Sequence, residues 1–553
     1  MTPLKRFFNL LKLDKKDVYQ ILFYAAFAGL ISLSLPLGIQ AIINFIQSGQ
    51  ISVSWIVLIF VVTLGVAFGG ILSLMQLRIT ENLQQKIFVR SSFEFAYRLP
   101  KIKFNELYNR YPPEIANRFF DTLSIQKGTS KLLLDFSTAI LQISFGIILL
   151  SLYHPFFILF GVLLVILLYL IFKFSFAQGL QTSLKESTFK YKVAYWLQEI
   201  ARNNNSFRKS LNFDYALTRN DGLVNDYICY REKHFGVIKR QFLQLILFKV
   251  IITAGLLSIG GYLVLGQQMN IGQFVAAEII ILLVINSVEK IILGLETFYD
   301  VLASVEKIGI VTDMELEQSA GTANGINSES DIVLETDNLC YRYPDSDKDA
   351  LHDINLRIEQ GEKLYVSGAN GSGKTTLVRV LSGFLQPDNG SFYINDGSYN
   401  KVNKDYYSSI IGFVMQGESP FEGTIRENIT FNDPSVSEEK LKWALDSVNL
   451  TPYIKTLPEG LDTVLYPDGR QLSASNSQKV LLARCIVNEP KILFLEDPTD
   501  KMDEPSAKAI IDFLFSEEHN WTVIVSSVNH YWKSKCSRQV IMDNGKIAED
   551  LKL

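Results

Sequence analysis

The residues with the most specific chemical pattern in this chain are Gly368–Thr375, which read Gly-Ala-Asn-Gly-Ser-Gly-Lys-Thr. They match the phosphate-binding loop G-x-x-x-x-G-K-[ST], in which glycines let backbone N–H groups surround phosphate oxygens. Lys374 is placed to reach the outer phosphates, and the Thr375 hydroxyl is placed to bind Mg²⁺. The pattern predicts a nucleoside-triphosphate site whose phosphate-binding residues are Gly368, Ala369, Asn370, Gly371, Ser372, Gly373, Lys374, Thr375 and Thr376.

The segments on either side of this loop are those it requires. Residues 363–368 have the pattern of a strand, and residues 376–381 have the pattern of a helix. A helix that begins at the loop would direct the positive end of its dipole at the phosphates. The alternative, a chance glycine-rich turn, does not account for this strand–loop–helix order.

The half of the chain before this site has the composition of a membrane protein. The 553 residues are 48% hydrophobic and 20% charged, and the apolar residues are concentrated before residue 300. Six stretches approach or exceed the ~20 residues that a helix needs to cross the hydrocarbon core. They are Tyr19–Ile46, Ile51–Leu77, Leu132–Tyr153, Pro155–Phe172, Phe242–Leu265 and Phe274–Leu293.

The distribution of basic residues predicts the orientation of these spans. The short connectors Gln47–Gln50, His154 and Gly266–Asn270 contain no Lys or Arg, whereas the connectors 78–131 and 173–241 are rich in both. By the positive-inside rule, the long connectors and both termini are cytoplasmic. We therefore expect a multi-pass protein of the inner (cytoplasmic) membrane, in contact with membrane lipids. Residues 1–15 are amphipathic enough to lie on the inner membrane surface.

The composition gives no sign of other site types. The net charge of −4 does not indicate nucleic-acid binding, and the five histidines are scattered. Four cysteines fall in predicted cytosolic parts without metal-like spacing, so we expect reduced thiols. The polar stretch 312–330 predicts a linker between a membrane domain, residues 1–311, and a nucleotide-binding domain, residues 331–553.

With six spans, two long internal connectors and a C-terminal phosphate loop in this order, the whole chain resembles a half-size ABC exporter. The resemblance implies an all-α six-helix transmembrane domain followed by an α/β P-loop nucleotide-binding domain with an α-helical subdomain. It also implies ATP and Mg²⁺ as cofactors, and a homodimer or a heterodimer with another half-transporter. In this family each ATP lies between the Walker motifs of one cassette and the signature sequence of the other.

The resemblance assigns further site residues by motif. Tyr343 in Tyr-Arg-Tyr-Pro matches the aromatic residue that stacks on adenine, and Gln416 matches the glutamine that contacts Mg²⁺. Asp503 matches the aspartate of the loop that crosses the dimer interface. The breaks at Pro112–Asp121, which includes Glu114 and Arg118, and around Asn212–Arg219 resemble the two coupling helices. Tyr343 could instead be a core aromatic, Gln416 a surface glutamine, and Glu114 with Arg118 an ordinary solvated pair.

The signature sequence departs from the family pattern. The usual L-S-G-G-Q corresponds to Leu472-Ser-Ala-Ser-Asn476. Ser473 is kept as an ATP-binding residue, but Ala474 and Ser475 replace both glycines. A Cβ at these positions hinders close approach of the backbone to the γ-phosphate of the partner's ATP.

The Walker B and switch motifs depart as well. Glu496-Asp497 follows the strand 492–495 where the family has Asp-Glu, so Glu496 takes the Mg²⁺ position and Asp497 the position of the catalytic carboxylate. Since Asp is shorter than Glu by one methylene, and displacements near 1 Å can cost on the order of 10²-fold in rate, we expect slow hydrolysis. Val528 replaces the switch histidine, and Pro467 stands where exporters usually carry a glutamate. His530 could compensate only if its loop were rearranged.

The leading hypothesis is an ATP-binding export subunit with slow or impaired hydrolysis. A weak resemblance of residues 35–43 and 270–275 to protein and peptide secretion transporters suggests that substrate class and a periplasmic adaptor. The alternatives are a regulatory or gating module that does not transport, and a lipid flippase. Glu278, an acidic residue inside the sixth span, is either part of the translocation path or a hydrogen-bonded packing residue.

Overall fold

The computed structural model describes residues 1–47, 53–212, 214–317, 331–395 and 397–553. The described chain divides into two compact units. The first contains residues 1–101 and 110–314, and the second contains residues 102–109 and 315–553. The short segment 102–109 therefore joins the second unit although it lies in the first long connector, which the sequence did not predict.

The first unit consists of helices, as the alternation of apolar spans and long connectors predicts. They are α1 (Pro3–Leu13), α2 (Lys15–Ser32), α3 (Ser34–Gln47), α4 (Val53–Arg98), α6 (Pro112–Asn117), α7 (Asp121–Tyr153), α8 (Phe156–Arg202), α9 (Asn204–Arg208), α10 (Tyr215–Gly255), α11 (Gly261–Leu265) and α12 (Ile271–Thr312). A π-helical turn, Leu256–Gly260, joins α10 to α11. The intervening α5 (Phe104–Leu107) belongs to the second unit.

Among the described residues, six helical stretches are long and apolar enough to cross a membrane. They are Lys15–Gln47, Val53–Lys101, Pro112–Tyr153, Phe156–Arg202, Tyr215–Leu265 and Ile271–Thr312. Each contains all or nearly all of one predicted span, so the prediction of six apolar helices is confirmed. Most of these stretches are more than twice as long as a bilayer requires. The connector at residues 48–50 and most of the predicted linker, residues 318–330, lie outside the described residues.

The core of the first unit is organised around α12, the helix with the most buried residues. A buried polar network fixes it to α8 and α10: Gln241 donates hydrogen bonds to Ser175 Oγ at 2.8 Å and to Tyr299 Oη at 3.0 Å. At the C-terminal end of α12, Arg6 of α1 donates to Asp313 Oδ1 at 2.9 Å. The amphipathic N-terminal segment is thus a helix that is anchored just beyond the end of α12.

The second unit contains two main sheets. A six-stranded sheet has the order β12 (Lys546–Lys552), β11 (Arg538–Asp543), β3 (Lys363–Gly368), β10 (Thr522–Ser526), β9 (Ile492–Glu496) and β6 (Ile411–Val414), and only β12 is antiparallel to its neighbour. A four-stranded antiparallel sheet has the order β2 (Leu351–Ile358), β1 (Leu334–Tyr341), β4 (Asn389–Ile394) and β5 (Gly397–Ser398). The apolar strands of the first sheet are buried, as expected of a parallel sheet covered by helices.

The helices of the second unit surround the parallel sheet or form a separate subdomain. The first group contains α13 (Lys374–Leu381), α14 (Lys404–Ile410), α19 (Glu504–Leu514) and α20 (His530–Lys535). The subdomain contains α15 (Ile425–Thr430), α16 (Glu438–Ser447), α17 (Thr451–Ile454) and the small sheet of β7 (Gly423–Thr424) and β8 (Val464–Leu465). The helix α18 (Ala474–Ile486) links the two, since Arg484 Nε donates to Asn428 O at 2.6 Å. The predicted fold class is confirmed.

Candidate nucleotide site

The predicted site residues follow the carboxyl ends of neighbouring parallel strands. Strand β10 lies between β3 and β9, and Ser526 is paired in register with Glu496. Because parallel strands end at the same edge of a sheet, the phosphate loop after β3, the Walker B carboxylates at the end of β9 and the loop after β10 come together. This is the edge at which open α/β sheets bind ligands.

At two positions of the phosphate loop, only glycine fits the backbone conformation. Gly368 has φ +142°, and a Cβ there would lie 2.2 Å from Met542 O. Gly373 has φ +101° and precedes α13; a Cβ there would lie 2.7 Å from Ala350 O. Lys374 Nζ donates to Gly368 O and Ala369 O, each at 2.8 Å, so this lysine is held over its own loop where phosphate oxygens would replace the carbonyls.

The remaining residues of the loop are ready to contact a ligand. Ala369, Asn370 and Gly371 are exposed residues of this loop. Ser372 is buried, and its Oγ has no hydrogen-bond partner. Thr376 is buried in the first turn of α13, where its Oγ1 lies 3.2 Å from Tyr343 Oη. The predicted adenine platform is therefore hydrogen-bonded to the helix that carries the phosphate loop.

Glu496 is the acidic group best placed for Mg²⁺. Its side chain is only 3% exposed, Oε2 accepts a hydrogen bond from the Gln416 N–H at 3.1 Å, and Arg379 Nη2 lies 3.6 Å away. Burial raises the pKa of Glu496, and the hydrogen bond from Gln416 and the charge of Arg379 oppose that rise. Its other oxygen, Oε1, is buried without a partner. Such an orphaned oxygen fits a cation ligand, and the Thr375 hydroxyl also interacts with this carboxylate.

Asp497 is not a free carboxylate. Its Oδ1 accepts a hydrogen bond from the Val528 N–H at 2.9 Å, and its own N–H donates to Ser526 O at 2.9 Å. The residue has φ +42°, in the left-handed region that side chains other than Gly, Asn and Asp rarely adopt. The carboxylate therefore connects the Walker B strand to the loop after β10.

The loop after β10 offers no side-chain hydrogen-bonding group at position 528. Val528 is 76% exposed, and its isopropyl group cannot donate a hydrogen bond. His530 is exposed and begins α20, whose N-cap Asn529 accepts from the Tyr531 N–H at 3.0 Å. The capped helix fixes the local backbone around His530.

The signature segment forms the beginning of α18. Ser473 is the N-cap, and its Oγ accepts from the Asn476 N–H at 3.1 Å. Ala474 and Ser475 follow in the first turn, neither with a positive φ. The added side chains therefore cost no backbone strain in this chain, and their effect is to add bulk at the helix N-terminus. Asp503 is used in the same way, as the N-cap of α19, accepting from the Ser506 N–H at 3.1 Å.

Sequence reasoning missed two residues of this site, Arg379 and Gln478. Arg379 lies four residues after Thr375 on α13, and this i,i+4 spacing indicates a position on the same helix face. Gln478 on α18 donates to Asp497 O at 3.3 Å and to Asp500, and accepts from the Lys501 N–H at 3.0 Å. No local pattern in the sequence indicates the Gln478 contacts.

In the first unit, the candidate functional residues are charged groups on its helices and their connectors. Glu114, in the first turn of α6, forms an ion pair at 3.0 Å with Arg118, the residue that follows this helix. Glu278 is half-buried. The long helices also contain an ion pair that the sequence did not indicate: Lys249 Nζ of α10 lies 2.6 Å from Glu289 Oε2 of α12. The predicted second coupling helix, around Asn212–Arg219, follows α9 and includes the beginning of α10 at Tyr215.

Comparison with known proteins supports this interpretation of the second unit. A family model described as ABC transporter matches residues 351–500, which include the phosphate loop, the signature segment and the Walker B strand. The solved structure of a bacterial Atm1-family ABC exporter with ATP bound superposes with a TM-score of 0.85 over 97% of this chain and 95% of that chain, at 18% identity. The chain carries an ABC transporter ATP-binding domain and has the fold of an ABC exporter.

Curated relatives of this chain are named as ATP-binding proteins. The leukotoxin translocation ATP-binding proteins LktB of Mannheimia glucosida, Mannheimia haemolytica and Bibersteinia trehalosi are each 29% identical over 320 residues. The matched region covers 58% of this chain and 45% of each relative, so the chain spans less than half the length of these proteins. The described protein is thus a multi-pass membrane protein with the fold of an ABC exporter, similar over 58% of its length to proteins named for leukotoxin translocation.

Proposed function

We propose that this chain is an ATP-binding export subunit that works as a dimer and hydrolyses ATP slowly. The single observation that carries the proposal is the hydrogen bond from the Val528 N–H to Asp497 Oδ1, at the position where the family has its catalytic glutamate. A general base must reach the attacking water within hydrogen-bond distance. A short carboxylate that already accepts a hydrogen bond from a backbone N–H is poorly placed to activate that water.

The proposal assigns a residue to each part of the bound nucleotide. Lys374 and the N–H groups of the phosphate loop would bind the phosphates, Tyr343 would stack on the adenine, and Ser473 of a partner cassette would complete the site. Thr375, Gln416 and Glu496 would hold Mg²⁺, which supplies charge neutralisation at the phosphates when it is bound. ATP binding then favours the closed dimer by mass action, because that state binds ATP better.

The consequence for a dimer follows from how the defects are shared. In a homodimer each site would contain Asp497, Val528 and the altered signature. With a fully competent partner, one site would combine the partner's signature with Asp497 and Val528 of this chain. The other site would combine the partner's catalytic glutamate with the altered signature of this chain. Neither arrangement supports fast hydrolysis, so we infer a subunit that responds mainly to ATP binding.

The exporter architecture favours transport, in the inner membrane with the cassette in the cytoplasm. The similarity to proteins named for leukotoxin translocation favours a protein or peptide substrate and a periplasmic adaptor. The observation that favours the second candidate, a regulatory ABC module without transport, is again the engaged Asp497. A lipid flippase is a third candidate, which the six membrane-spanning helices alone do not distinguish from a protein exporter.

Reconstitution in lipid vesicles separates these candidates. Vesicles containing the wild-type chain or Lys374→Ala are given ATP, and the movement of a fluorescent peptide library and of fluorescent lipids is followed. ATP-dependent peptide movement that requires Lys374 supports the proposal, and lipid movement supports the flippase. ATP binding without movement of either probe, in the homodimer and with a candidate partner subunit, supports the regulatory module.

A further inference from the structure

The segment Ile102–Asn109 is fixed to the second unit next to the predicted adenine platform. Ile102 forms an antiparallel bridge with Leu316, and the Lys103 N–H donates to Glu315 O at 3.0 Å. Phe104 packs against the core beside the four-stranded sheet. These contacts hold α5 against the cassette, although the two are separated by more than two hundred residues in the sequence.

Two further hydrogen bonds direct the end of this segment to the platform. Asn105 Oδ1 accepts from Tyr341 Oη at 3.1 Å, and Asn109 Nδ2 donates to Asp345 Oδ2. Between them, the ring of Tyr108 stacks on the ring of Tyr343, with the centroids 5.1 Å apart and the planes 27° from parallel. The aromatic residue that should accept adenine therefore already has an aromatic partner from the same chain.

The two rings that contact Tyr343 differ in their freedom to move. Tyr341 contacts it in a T-shaped arrangement at 5.1 Å and 87°, but Tyr341 is fully buried in the core. Tyr108 is 43% exposed and lies at the surface. Only Tyr108 can leave without disturbing the core, so the face of Tyr343 that it covers is the face that can be opened.

The spacing of the rings excludes a base between them. Two stacking distances of about 3.5 Å each would separate the two tyrosines by about 7 Å. We propose that Tyr108 competes with the adenine base for Tyr343, so that ATP binding requires Tyr108 to leave. This inference rests on the proposed binding of ATP by the cassette, and it makes Tyr108 a determinant of nucleotide affinity in addition to the residues of the family motif.

The direction in which removal of Tyr108 changes nucleotide affinity shows whether its ring competes with adenine or helps to bind it. Removing a competing aromatic ring should tighten binding of an adenine nucleotide by about three- to tenfold, the value of a typical aromatic pair. If Tyr108 instead moved to hold the base from its second face, its removal would weaken binding. A ligand without a base should not respond to the change in either case.

The test is an affinity measurement on the full chain in lipid nanodiscs with Mg²⁺. The probes are adenylyl imidodiphosphate, which is not hydrolysed, and inorganic triphosphate, which has no base. Tyr108→Ala should bind the nucleotide three- to tenfold more tightly and the triphosphate as the wild type does. Tyr108→Phe keeps the ring and should not show the tightened value. Tyr97→Ala, which removes an exposed ring from α4, is the matched control.

A second variant makes the test specific to the ring pair. Tyr108→Ala in a Tyr343→Ala background should give no gain, because the platform is absent. Unchanged or weaker nucleotide binding in Tyr108→Ala, with the thermal unfolding curve unchanged, would overturn the inference while leaving the proposed function intact. A wild-type chain that bound neither probe would overturn the proposed function as well.

Discussion

The carboxylate of Asp497 accepts a hydrogen bond from the backbone N–H of Val528 at 2.9 Å. We propose that these two residues occupy the positions of the glutamate and the histidine that the family uses for hydrolysis, and here they bind each other. On that proposal, a shorter acid coincides with a direct contact between the strand β9 and the loop after β10. Restoring one of the two residues alone would leave the other defect in place.

The first prediction concerns restoration of the hydrolytic site. Asp497→Glu alone should change ATP turnover by less than about threefold, because Val528 and the signature bulk still limit the reaction. Asp497→Glu with Val528→His, Ala474→Gly and Ser475→Gly should raise it by at least about tenfold, since preorganised groups of this kind contribute on the order of 10²-fold each. Steady-state phosphate release measures both. A flat response of the fourfold variant would place the limitation elsewhere.

The second prediction concerns Lys374. Lys374→Ala should weaken ATP binding by about 10- to 100-fold, the value of charge-assisted hydrogen bonds to phosphate. Displacement of a fluorescent ATP analogue measures the affinity. Lys552→Ala, on the exposed edge strand β12, is the control and should bind as the wild type does. Tight binding by Lys374→Ala would contradict the assignment of the phosphate loop.

The third prediction concerns Mg²⁺ and its removal. ATP should raise the apparent melting temperature in EDTA, and Mg²⁺ should add a further increment, because ligands that bind the native state stabilise it by mass action. Glu496→Gln should lose the Mg²⁺ increment and keep the increment due to ATP alone. Glu517→Gln, an exposed carboxylate, should keep both. Retention of the full Mg²⁺ increment in Glu496→Gln would remove this residue from the metal site.

The fourth prediction concerns the ion pair between α10 and α12. Lys249→Met or Glu289→Met alone leaves a partly buried charge without its partner in a predicted span and should lower the apparent melting temperature by about 2 to 6 °C. The double variant should recover most of that loss, because replacing both charges by apolar groups is often neutral. Equal losses in the single and double variants would show that the pair itself has no special role.

The fifth prediction concerns Glu278. If this half-buried carboxylate lines the translocation path, Glu278→Ala should reduce transport in vesicles by about tenfold or more without lowering the melting temperature, as intramembrane carboxylates tend to face cavities. Glu278→Gln keeps the shape and tests the charge. Unchanged transport together with unchanged stability would remove the residue from the path.

The sequence could predict the parts of this molecule that have a local signature. The spans follow from hydropathy, and the strand and helix beside Gly368 and Lys374 follow from periodicity. The ion pair of Lys249 with Glu289 joins residues 40 positions apart on different helices, so no spacing rule indicates it. The stacking of Tyr108 on Tyr343 depends on where a connector returns to the cassette, which neither composition nor periodicity contains.

The hydrogen bond of Asp497 is a second contact that the sequence alone could not predict. The sequence motif predicts that Asp497 takes the place of the catalytic glutamate, but the direction of its side chain depends on its left-handed φ of +42° and on the position of the loop after β10. Strand pairing between β9 and β10 sets that position, and it is a property of the folded sheet. The sequence indicated a displaced carboxylate, and the structure gives the group that it binds instead.

The most direct test of the account is the ATP turnover of the purified chain in lipid nanodiscs, with Lys374→Ala as the blank and the oligomeric state recorded on the same sample. The account predicts turnover above the blank but below about 1 s⁻¹, under the usual enzymatic range. A dimer that hydrolyses ATP at about 10 s⁻¹ or faster would contradict the conclusion that Asp497 is a weak base. Binding without any turnover above the blank would contradict slow export by this chain alone.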